Sequence, residues 1–513
     1  MGKSANSWLR AITTAAVAFA LALLPTAAHA NPGDLDPAFG TAGIVSGIHY
    51  SDGSTTDEYT SIQAVTVQTD GKIVVAGNTN GTNRRYSAFI ARYNANGSLD
   101  TSFATQGWAL FDFGAGTFET VTFTDVSVLT DGRIFASGYS CVPGDCLLHR
   151  VSLARVLSNG QPDTSFSSDG TKILPFNGYV TADATANQVL ADGTTYLVGV
   201  CYPTSNSQSS IFAAKLLPSG ALDSTFGTSG QVCVNPTNPS LLDAVYYTGI
   251  AVLPDGSSLL SGEITQYNGN LVTRLTPAGA IDTSYGNPSV FPGSTLYFPA
   301  TNLALSTAAT FANNKFTVAG YGTSGQGNFG TLAQFDTALT LQQPFGNASS
   351  GIVEVRQQST GTKLLDVTAS CNGDLYTVGN YVASQSSDQG ILAAFASTGT
   401  PLTGFASTGQ TTLSVPGAVT NSSVALDGGT KAVVAGFSTL STQDNPRESF
   451  IAVFETPNQG CPNHPTPADP TLAATGSTSG STALLGLAAL AALGVGLGLW
   501  RLRVSSGLRL ARF

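Results

Sequence analysis

Short apolar runs separated by polar turns recur along the chain between about residues 33 and 455. In the first unit, Ile44–Ile48 is followed by the runs SIQAVTVQ, IVVAG and AFIARY, and an Asp-Gly pair separates the second run from the third. Asp-Gly between two apolar runs is a strong signal for a tight hairpin, because this turn needs positive φ at both central positions. The pattern therefore predicts four strands in each unit, with Ile44–Ile48 as the first strand of its own unit.

Two short motifs give the period of these units. The first reads GxLDxxFGxxG, as in GSLDTSFATQG from Gly97, and the second reads DGKIVVAG, as in the segment that ends at Gly77. The aromatic of the first motif recurs every 59 to 64 residues, at Phe39, Phe103, Phe166, Phe226, Tyr285, Phe345 and Phe405. The second motif ends at Gly77, Gly138, Gly199, Gly262, Gly320, Gly379 and Gly436. Each motif occurs seven times.

Seven four-stranded units predict an all-β fold, namely a seven-bladed β-propeller over residues 31–458. Only 10% of the residues are charged and glycines number 57, which favours short strands and turns over helices. One small sheet cannot bury both of its faces alone, so the units must pack on one another, and closure into a ring also hides their edges. An open β-solenoid or two smaller sheet domains are the alternatives.

The two motifs at this spacing resemble the delta-60 repeat, which occurs in tandem in secreted bacterial proteins. The resemblance covers about residues 33 to 455 and is stronger in the first four units than in the last three. It implies a tandem-repeat architecture, but the family brings no established reaction or ligand.

The repeated aspartate of the first motif has two interpretations. As a structural clamp, Asp100 would accept hydrogen bonds from nearby backbone N–H groups while Phe103 fills the gap between blades, in a turn that links one blade to the next. As a cation site, it would need several carboxylate or carbonyl oxygens per turn. Only one aspartate repeats, and Gln342 and Leu402 replace it in the last two copies. This pattern favours the clamp.

The two ends of the chain have the features of targeting segments. Residues 1–30 combine Lys3 and Arg10 with an apolar run and a small-residue site ending at Ala30, which predicts a cleaved signal peptide and export. Residues 459–481 form a polar spacer, residues 482–500 are almost wholly apolar and long enough for a transmembrane helix, and residues 501–513 form a basic cytoplasmic tail.

The spacer contains LAATG, from Leu472 through Thr475 to Gly476, and its position before an apolar helix resembles a sortase-type sorting signal. The resemblance implies cleavage between Thr475 and Gly476 and attachment to the cell wall by a sortase-like transpeptidase. A plain membrane anchor through the C-terminal helix is the alternative. Both place the propeller at the cell surface.

The composition of the exported part limits its partners. The end segments hold six of the 21 basic residues and none of the 31 acidic ones, so residues 31–476 carry a net charge of −16. An acidic protein repels phosphate backbones, which argues against nucleic acid. His49, His149 and His464 are too scattered for a metal site, and we expect no cofactor. Isolated carboxylates such as Asp57, Glu58 and Glu263 are possible acids or bases.

Six cysteines in an exported chain favour disulfide bonds. Cys141 and Cys146 share one loop, with Pro143-Gly144 between them. Cys201 and Cys233 fall in successive units, so we expect their bond to join adjacent blades. Cys371 is then left for Cys461, a bond that would hold the end of a ring in which no strand is exchanged.

These features favour a surface protein that binds an unidentified extracellular ligand, a protein or a glycan. The loops that follow the repeated glycine vary most between units, and variable loops on a rigid frame commonly carry recognition. Candidate contact residues are Arg84, Arg85, Tyr86, Tyr246 and Tyr247. The alternative is a propeller hydrolase or lyase acting on a polymer. Carboxylates, His or Arg from three or more blades at the mouth of the channel would favour the enzyme.

Overall fold

A computed structural model describes most of the repeat region. The described residues are 30–50, 59–80, 86–114, 120–175, 177–204, 208–235, 245–264, 269–287, 291–297, 303–325, 327–343, 345–346, 351–356, 361–384, 387–439, 447–458 and 500–501. Every regular element among them is a β-strand.

The strands alternate in direction and are short, as the apolar runs predict. The first sixteen are β1 (Ile44–Ile48), β2 (Tyr59–Val67), β3 (Ile73–Asn80), β4 (Tyr86–Tyr93), β5 (Trp108–Phe111), β6 (Val121–Val128), β7 (Ile134–Val142), β8 (Asp145–Val156), β9 (Thr171–Ile173), β10 (Thr181–Val189), β11 (Thr195–Tyr202), β12 (Ser210–Leu216), β13 (Gln231–Val234), β14 (Val245–Val252), β15 (Ser258–Ile264) and β16 (Gly269–Leu275). The others are β17 (Gly286–Asn287), β18 (Phe291–Pro292), β19 (Ser294–Tyr297), β20 (Leu303–Ala312), β21 (Lys315–Ser324), β22 (Gly327–Phe335), β23 (Ile352–Val355), β24 (Thr362–Ala369), β25 (Leu375–Ser384), β26 (Ser387–Phe395), β27 (Gln410–Leu413), β28 (Ala418–Leu426), β29 (Lys431–Thr439), β30 (Arg447–Glu455) and β31 (Trp500–Arg501).

The strands form seven antiparallel blades in a ring, which confirms the seven-bladed propeller. From the inner to the outer strand, the blades are β2-β3-β4-β5, β6-β7-β8-β9, β10-β11-β12-β13, β14-β15-β16-β19, β20-β21-β22-β23, β24-β25-β26-β27 and β28-β29-β30-β1. Each inner strand contacts the inner strand of the next blade, and β28 contacts β2. The ring is therefore closed. Two minor strand pairs accompany it: β17 with β18, and β31 with β20.

Closure of the ring uses an exchanged strand, which corrects the sequence-based assignment. β1 does not join the first blade but pairs with β30 as the outer strand of blade seven, with Ile44 opposite Ala452 and Val45 opposite Ile451. The sequence repeat is thus displaced from the structural blade by one strand. Each unit contributes the outer strand of one blade and the three inner strands of the next, so the first strand of the chain completes the last blade.

The repeated glycine is explained by a bulge in the inner strand. In blade one the register between β2 and β3 shifts between Ile62 and Ala64, and Gly77 lies opposite Ile62. A Cβ atom at Gly77 would overlap the carbonyl oxygen of Ser61. All seven inner strands carry the same register shift opposite the repeated glycine. A residue with a side chain is excluded there because the bulge brings two backbones into contact.

The LDxxF turn is the structural clamp that the sequence favours, although it lies within a blade. It connects the third strand to the outer strand, not one blade to the next. Asp100 Oδ1 accepts hydrogen bonds from the backbone N–H and hydroxyl of Ser102, and Oδ2 accepts from Lys72 Nζ and Arg92 Nε, both at 2.8 Å. Phe103 is fully buried between blades one and two, with the Arg92 guanidinium 4.6 Å from its ring centroid. Protein donors therefore engage both carboxylate oxygens.

Two of the three expected disulfide pairs are confirmed. Cys141 bonds Cys146 within the β7–β8 hairpin, and Cys201 bonds Cys233. The second bond lies within blade three, from β11 to the outer strand β13, and does not join adjacent blades as expected, because the unit and the blade differ by one strand. Cys371 is disulfide-bonded, and its expected partner, Cys461, lies outside the described residues. The two confirmed bonds are consistent with an extracellular protein.

Both targeting segments lie almost wholly outside the described residues. The residues that are not described include residues 1–29 of the expected signal peptide, the LAATG motif and residues 482–499 of the expected transmembrane helix. Among the residues that the structure does describe, no helix is long and apolar enough to cross a membrane.

Candidate ligand-binding site at the channel mouth

One end of the propeller is built from repeated turns and the other from variable ones. The Asp-Gly hairpins and the LDxxF turns share one end, since Lys72, next to an Asp-Gly pair, contacts Asp100. We call this the lower end. Inner strands begin and second strands finish at the opposite end, where they surround the central channel. We call that opening the upper mouth.

Two rings of equivalent positions lie at the upper mouth. One is the inner-strand residue two places before each bulge: Ser61, Thr122, Asp183, Tyr246, Leu305, Lys363 and Thr420. The other is the residue that follows each repeated glycine and pairs with the first: Asn78, Tyr139, Val200, Glu263, Tyr321, Asn380 and Phe437. The surrounding backbone repeats, whereas the side chains at these positions differ in size, charge and polarity. This variation is expected where a repeated frame carries a specific site.

Blades two and three meet at the mouth through a histidine and a carboxylate. His149 Nδ1 lies 2.8 Å from Asp183 Oδ1, and the imidazole stacks on the ring of Tyr139 with centroids 4.6 Å apart. Burial disfavours the imidazolium, but the hydrogen bond and the charge of Asp183 outweigh it and raise the pKa of His149 above its usual value. Burial, together with the charge of Asp183, also raises the pKa of Tyr139.

Blades three and four continue this arrangement. Burial raises the pKa of Tyr202, and its interaction with the phenol of Tyr246 and the charge of Asp183 add to the effect. Tyr246 lies directly opposite Glu263 in the strand pair β14–β15. Burial alone raises the pKa of Glu263 to about 8, so this carboxyl is mostly protonated at pH 7.

Cations from blades six and seven complete the ring. Lys363 Nζ lies 5.0 Å from the ring centroid of Tyr321. Burial, together with the charge of Glu263, raises the pKa of Tyr321 to about 12. On the other side, the Arg447 guanidinium lies 5.2 Å from the ring of Tyr59 and 4.9 Å from that of Phe437, and it donates a hydrogen bond to the Tyr59 hydroxyl. Each of the seven blades therefore supplies an ionisable group that faces a neighbouring blade at this end, and Tyr59 is the one from blade one.

The polar groups of the mouth differ from those of the lower end in how they are bonded. Asp163, at the lower end, accepts hydrogen bonds from Ser165, Arg133 and Arg155. By contrast, the carboxyl group of the partly exposed Glu263 makes no hydrogen bond with any described residue, and the same holds for Lys363 Nζ and Asp183 Oδ2. A carboxyl and an ammonium group that are partly removed from water without partners cost stability.

The residues singled out from the sequence fall into three groups. Tyr246 lies in the ring at the mouth, and Tyr86 is partly exposed with its ring edge-on to Tyr59 at 6.4 Å. Tyr247 is fully buried and its hydroxyl bonds Thr273, so it belongs to the core and is not accessible to a ligand. Two residues of the 81–85 loop, Arg84 and Arg85, lie outside the described residues, as do Asp57 and Glu58.

Sequence reasoning did not connect Asp183, Lys363 and Tyr321 with any site. The feature that could have identified them is their place in the repeat. The residue after each repeated glycine and its partner in the preceding strand differ in size, charge and polarity from one unit to the next. That feature is readable only when the bulge shows which residue of the inner strand is the partner. Among the described residues, no three His, Cys, Asp or Glu side chains are grouped as metal ligands would be.

Comparison with protein families agrees with this geometry. Two segments match a β-propeller family of unknown function. The matched residues are 68–103 and 190–226, and the family is described as a domain of unknown function (DUF5122) β-propeller. In both blades the match runs from the Asp-Gly hairpin to the aromatic of the LDxxF turn. The DUF5122 similarity therefore covers the second and third strands with the turns that flank them, and it does not include the inner-strand residues of the mouth. No curated protein sequence matches the chain.

The solved structures that resemble this chain have low sequence identity to it and low TM-scores. A protein of unknown function from Dyadobacter fermentans is 11% identical, covering 81% of this chain and all of that one, with a TM-score of 0.41. A subtype N10 neuraminidase-like protein of A/little yellow-shouldered bat/Guatemala/060/2010 is 11% identical over 64% of this chain and 92% of its own, with a TM-score of 0.35. An exo-β-1,3-galactanase from Clostridium thermocellum is 12% identical over 77% and 83%, with a TM-score of 0.29. None is similar enough to inform function.

Proposed function

We propose that the protein is an extracellular recognition protein that binds its ligand at the upper mouth of the propeller. The observation that carries this proposal is the contrast in hydrogen bonding. The clamp carboxylates of the lower end, such as Asp100 and Asp163, accept hydrogen bonds at both oxygens, whereas the Glu263 carboxyl, Lys363 Nζ and one oxygen of Asp183 have no hydrogen-bond partner among the described residues. Groups placed this way are available to a ligand without first breaking internal bonds, which lowers the cost of binding.

Array binding tests this function. We expect the purified protein to bind a member of a glycan and protein array, and the double variant Asp183→Asn, Lys363→Met to bind it at least about a hundredfold more weakly, since hydrogen bonds to charged groups contribute about 1.5–3 kcal/mol each. The matched control makes the same chemical changes outside the mouth, as Asp131→Asn, Lys172→Met, and should bind like the wild type. Equal loss in both double variants would contradict a site at the mouth.

A hydrolase or lyase acting on a polymer is the second candidate, and a specific observation favours it. The mouth combines Glu263, mostly protonated at pH 7, with Asp183 and His149, so carboxylates and a histidine come from three successive blades. This is the arrangement that the sequence analysis gave as favouring an enzyme. Titratable groups with environments that separate their pKa values are typical of acid–base catalysis. Release of new chain ends from a bound polymer, abolished by Glu263→Gln, would establish the enzyme.

We further propose attachment at the cell surface through the LAATG motif, on the basis of its position before the apolar segment 482–500. Changing Thr475 and Gly476 to Ala is expected to move the protein from the cell-wall fraction to the membrane or medium, because a sortase-like enzyme would no longer cleave it. Ala474→Ser, at the variable position of the motif, is the matched control and should stay in the wall. A plain membrane anchor predicts that detergent extracts all three proteins equally.

A further inference from the structure

We infer that the ligand of the upper mouth is a neutral carbohydrate, bound by Asp183, Glu263 and Lys363 beside the tyrosines of blades three to five. This inference rests on the proposed function and names its ligand class. The argument starts from which hydrogen bonds these groups have left to make.

The three residues offer a mixed set of donors and acceptors. Asp183 Oδ2 is a carboxylate oxygen and can only accept, and it is the oxygen left for a ligand because His149 already holds Oδ1 at 2.8 Å. Lys363 Nζ can only donate. Glu263 is protonated at pH 7, so its carboxyl both donates and accepts. Every sugar hydroxyl is itself a donor and an acceptor, and a row of such hydroxyls pairs best with a site of this mixed composition.

The aromatic content of the mouth points to the same ligand class. Tyr202, Tyr246 and Tyr321 are all partly exposed and belong to three successive blades. Each offers an apolar ring together with a polar hydroxyl. A sugar ring presents apolar C–H faces and polar edges, so it can pack on such rings while its hydroxyls reach the three polar residues.

The groups of the mouth that are left without hydrogen bonds do not favour an ionic ligand. Lys363 and Asp183 carry opposite charges, and the Glu263 carboxyl is mostly protonated at pH 7. Since residues 31–476 carry a net charge of −16, a polyanion would also be repelled by the body of the protein.

Protein interfaces commonly have an apolar core, and the described surface near the mouth has no contiguous apolar patch to form one. Among the described residues, the large exposed apolar ones are Leu110, Leu147, Leu157, Leu217 and Val382. Only Leu147 and Val382 belong to hairpins at the upper end, and these are in blades two and six. Scattered single apolar residues are ordinary surface.

The test uses the full protein and soluble polysaccharides, with affinity electrophoresis as the readout. Laminarin, xylan and mannan are the neutral probes, alginate is the acidic one, and an immobilised protein panel is the third class. We expect binding of at least one neutral probe. We also expect Asp183→Asn and Lys363→Met each to weaken it at least about tenfold.

Substitutions of Glu263 give the most specific test, because a glutamine side chain has both a donor and an acceptor, as a protonated carboxyl group does. Glu263→Gln keeps a donor and an acceptor and should bind within about threefold of the wild type, whereas the similarly shaped Glu263→Leu should lose binding. Wild-type affinity should fall as the pH rises past about 8, and Glu263→Gln should not show this fall. The titratable groups that face Glu263 are Tyr246 on β14 and Tyr321 on β21, with Lys363 on β24 beyond; the pKa of Tyr321 is about 12, well above this window.

The outcomes separate this inference from the proposed function. If alginate or a protein binds and the same variants weaken that binding, the ligand is not a neutral carbohydrate, but the proposed recognition site at the mouth is supported. Binding of a neutral probe that no mouth variant changes would overturn both, as would failure to bind any probe class. Cleavage of a bound neutral probe that Glu263→Gln abolishes, with binding retained, would support the ligand class and select the enzyme. Equal unfolding temperatures of all variants show that the losses are not due to misfolding.

Discussion

Removing residues 31–50 is expected to open the ring at blade seven. The deletion takes away β1, the fully buried Phe39, the buried Ile48 and the ion pair between Asp36 and Lys431. Loss of one buried phenylalanine alone costs about 3–5 kcal/mol, so the free energy of unfolding should fall by more than that. Thermal unfolding measures the loss, and hydrogen exchange should show that the amides of β30, now at an unpaired edge, lose protection.

A circular permutant is the matched control for this deletion. The backbone N–H of Gly33 lies 2.7 Å from the carbonyl oxygen of Glu455, so the segment 31–50 can follow residue 458 through a short linker. In the permutant β1 follows β30 in sequence, as the outer strand follows the third strand in the other blades. Stability close to that of the wild type is expected. A deletion variant as stable as the wild type would show that β1 does not close the ring.

Replacing Asp163 by Ala is the second change with a large expected effect. The carboxylate is buried and bonds Arg155 Nε at 2.6 Å and Arg133 at 3.1 Å, and Arg155 in turn donates to the carbonyl of Pro218 in the next blade. Removing one partner of a buried ion pair leaves the other charge uncompensated and costs about 3–5 kcal/mol. Denaturant unfolding at pH 7 should report this loss, with Asp163→Asn also destabilised because the charge is absent.

Asp169→Ala is the control for Asp163→Ala. Asp169 lies in the same turn but is exposed, and it accepts hydrogen bonds from the backbone N–H and hydroxyl of Thr171. Loss of such a local cap costs about 1 kcal/mol. If the two alanine variants were equally stable, the clamp would not be a major contributor to the fold.

Because of the same clamps, the free energy of unfolding should decrease at acid pH. Burial would raise the pKa of Asp163, but hydrogen bonds from Ser165, Arg133 and Arg155 outweigh it and lower it to about 2, and bonds from Lys215 and Thr225 lower the pKa of Asp223 to about 2. An unfolded aspartate has a pKa of about 3.9. Since the folded values are lower, this stabilisation is complete above about pH 4–5 and is lost as the pH falls toward 2. Asp163→Ala should therefore show a weaker acid dependence.

The local chemistry of the turns made the number and kind of blades predictable. Asp-Gly hairpins, the LDxxF turn and the apolar runs act over fewer than about fifteen residues, so each copy specifies its own strands regardless of the rest of the chain. The pairs Cys141–Cys146 and Cys201–Cys233 were predictable for a related reason, since position within the repeat indicates which cysteines come close. The sequence by itself thus determined the all-β architecture, the sevenfold repeat and the role of Asp100 as a clamp.

Only the tertiary structure decided how the units join and what they bring together. β1 and β30 are separated by about four hundred residues, and nothing in Ile44–Ile48 distinguishes a strand that opens blade one from one that closes blade seven. The series of contacts that runs from Asp183 through Tyr246 and Glu263 to Tyr321 and Lys363 is likewise a product of blade packing, because these residues come from four successive blades and no local motif surrounds them. It depends on the bulge that aligns every inner strand and on the packing of each blade against the next. Both are properties of long-range strand pairing and packing, which local patterns of residues do not encode.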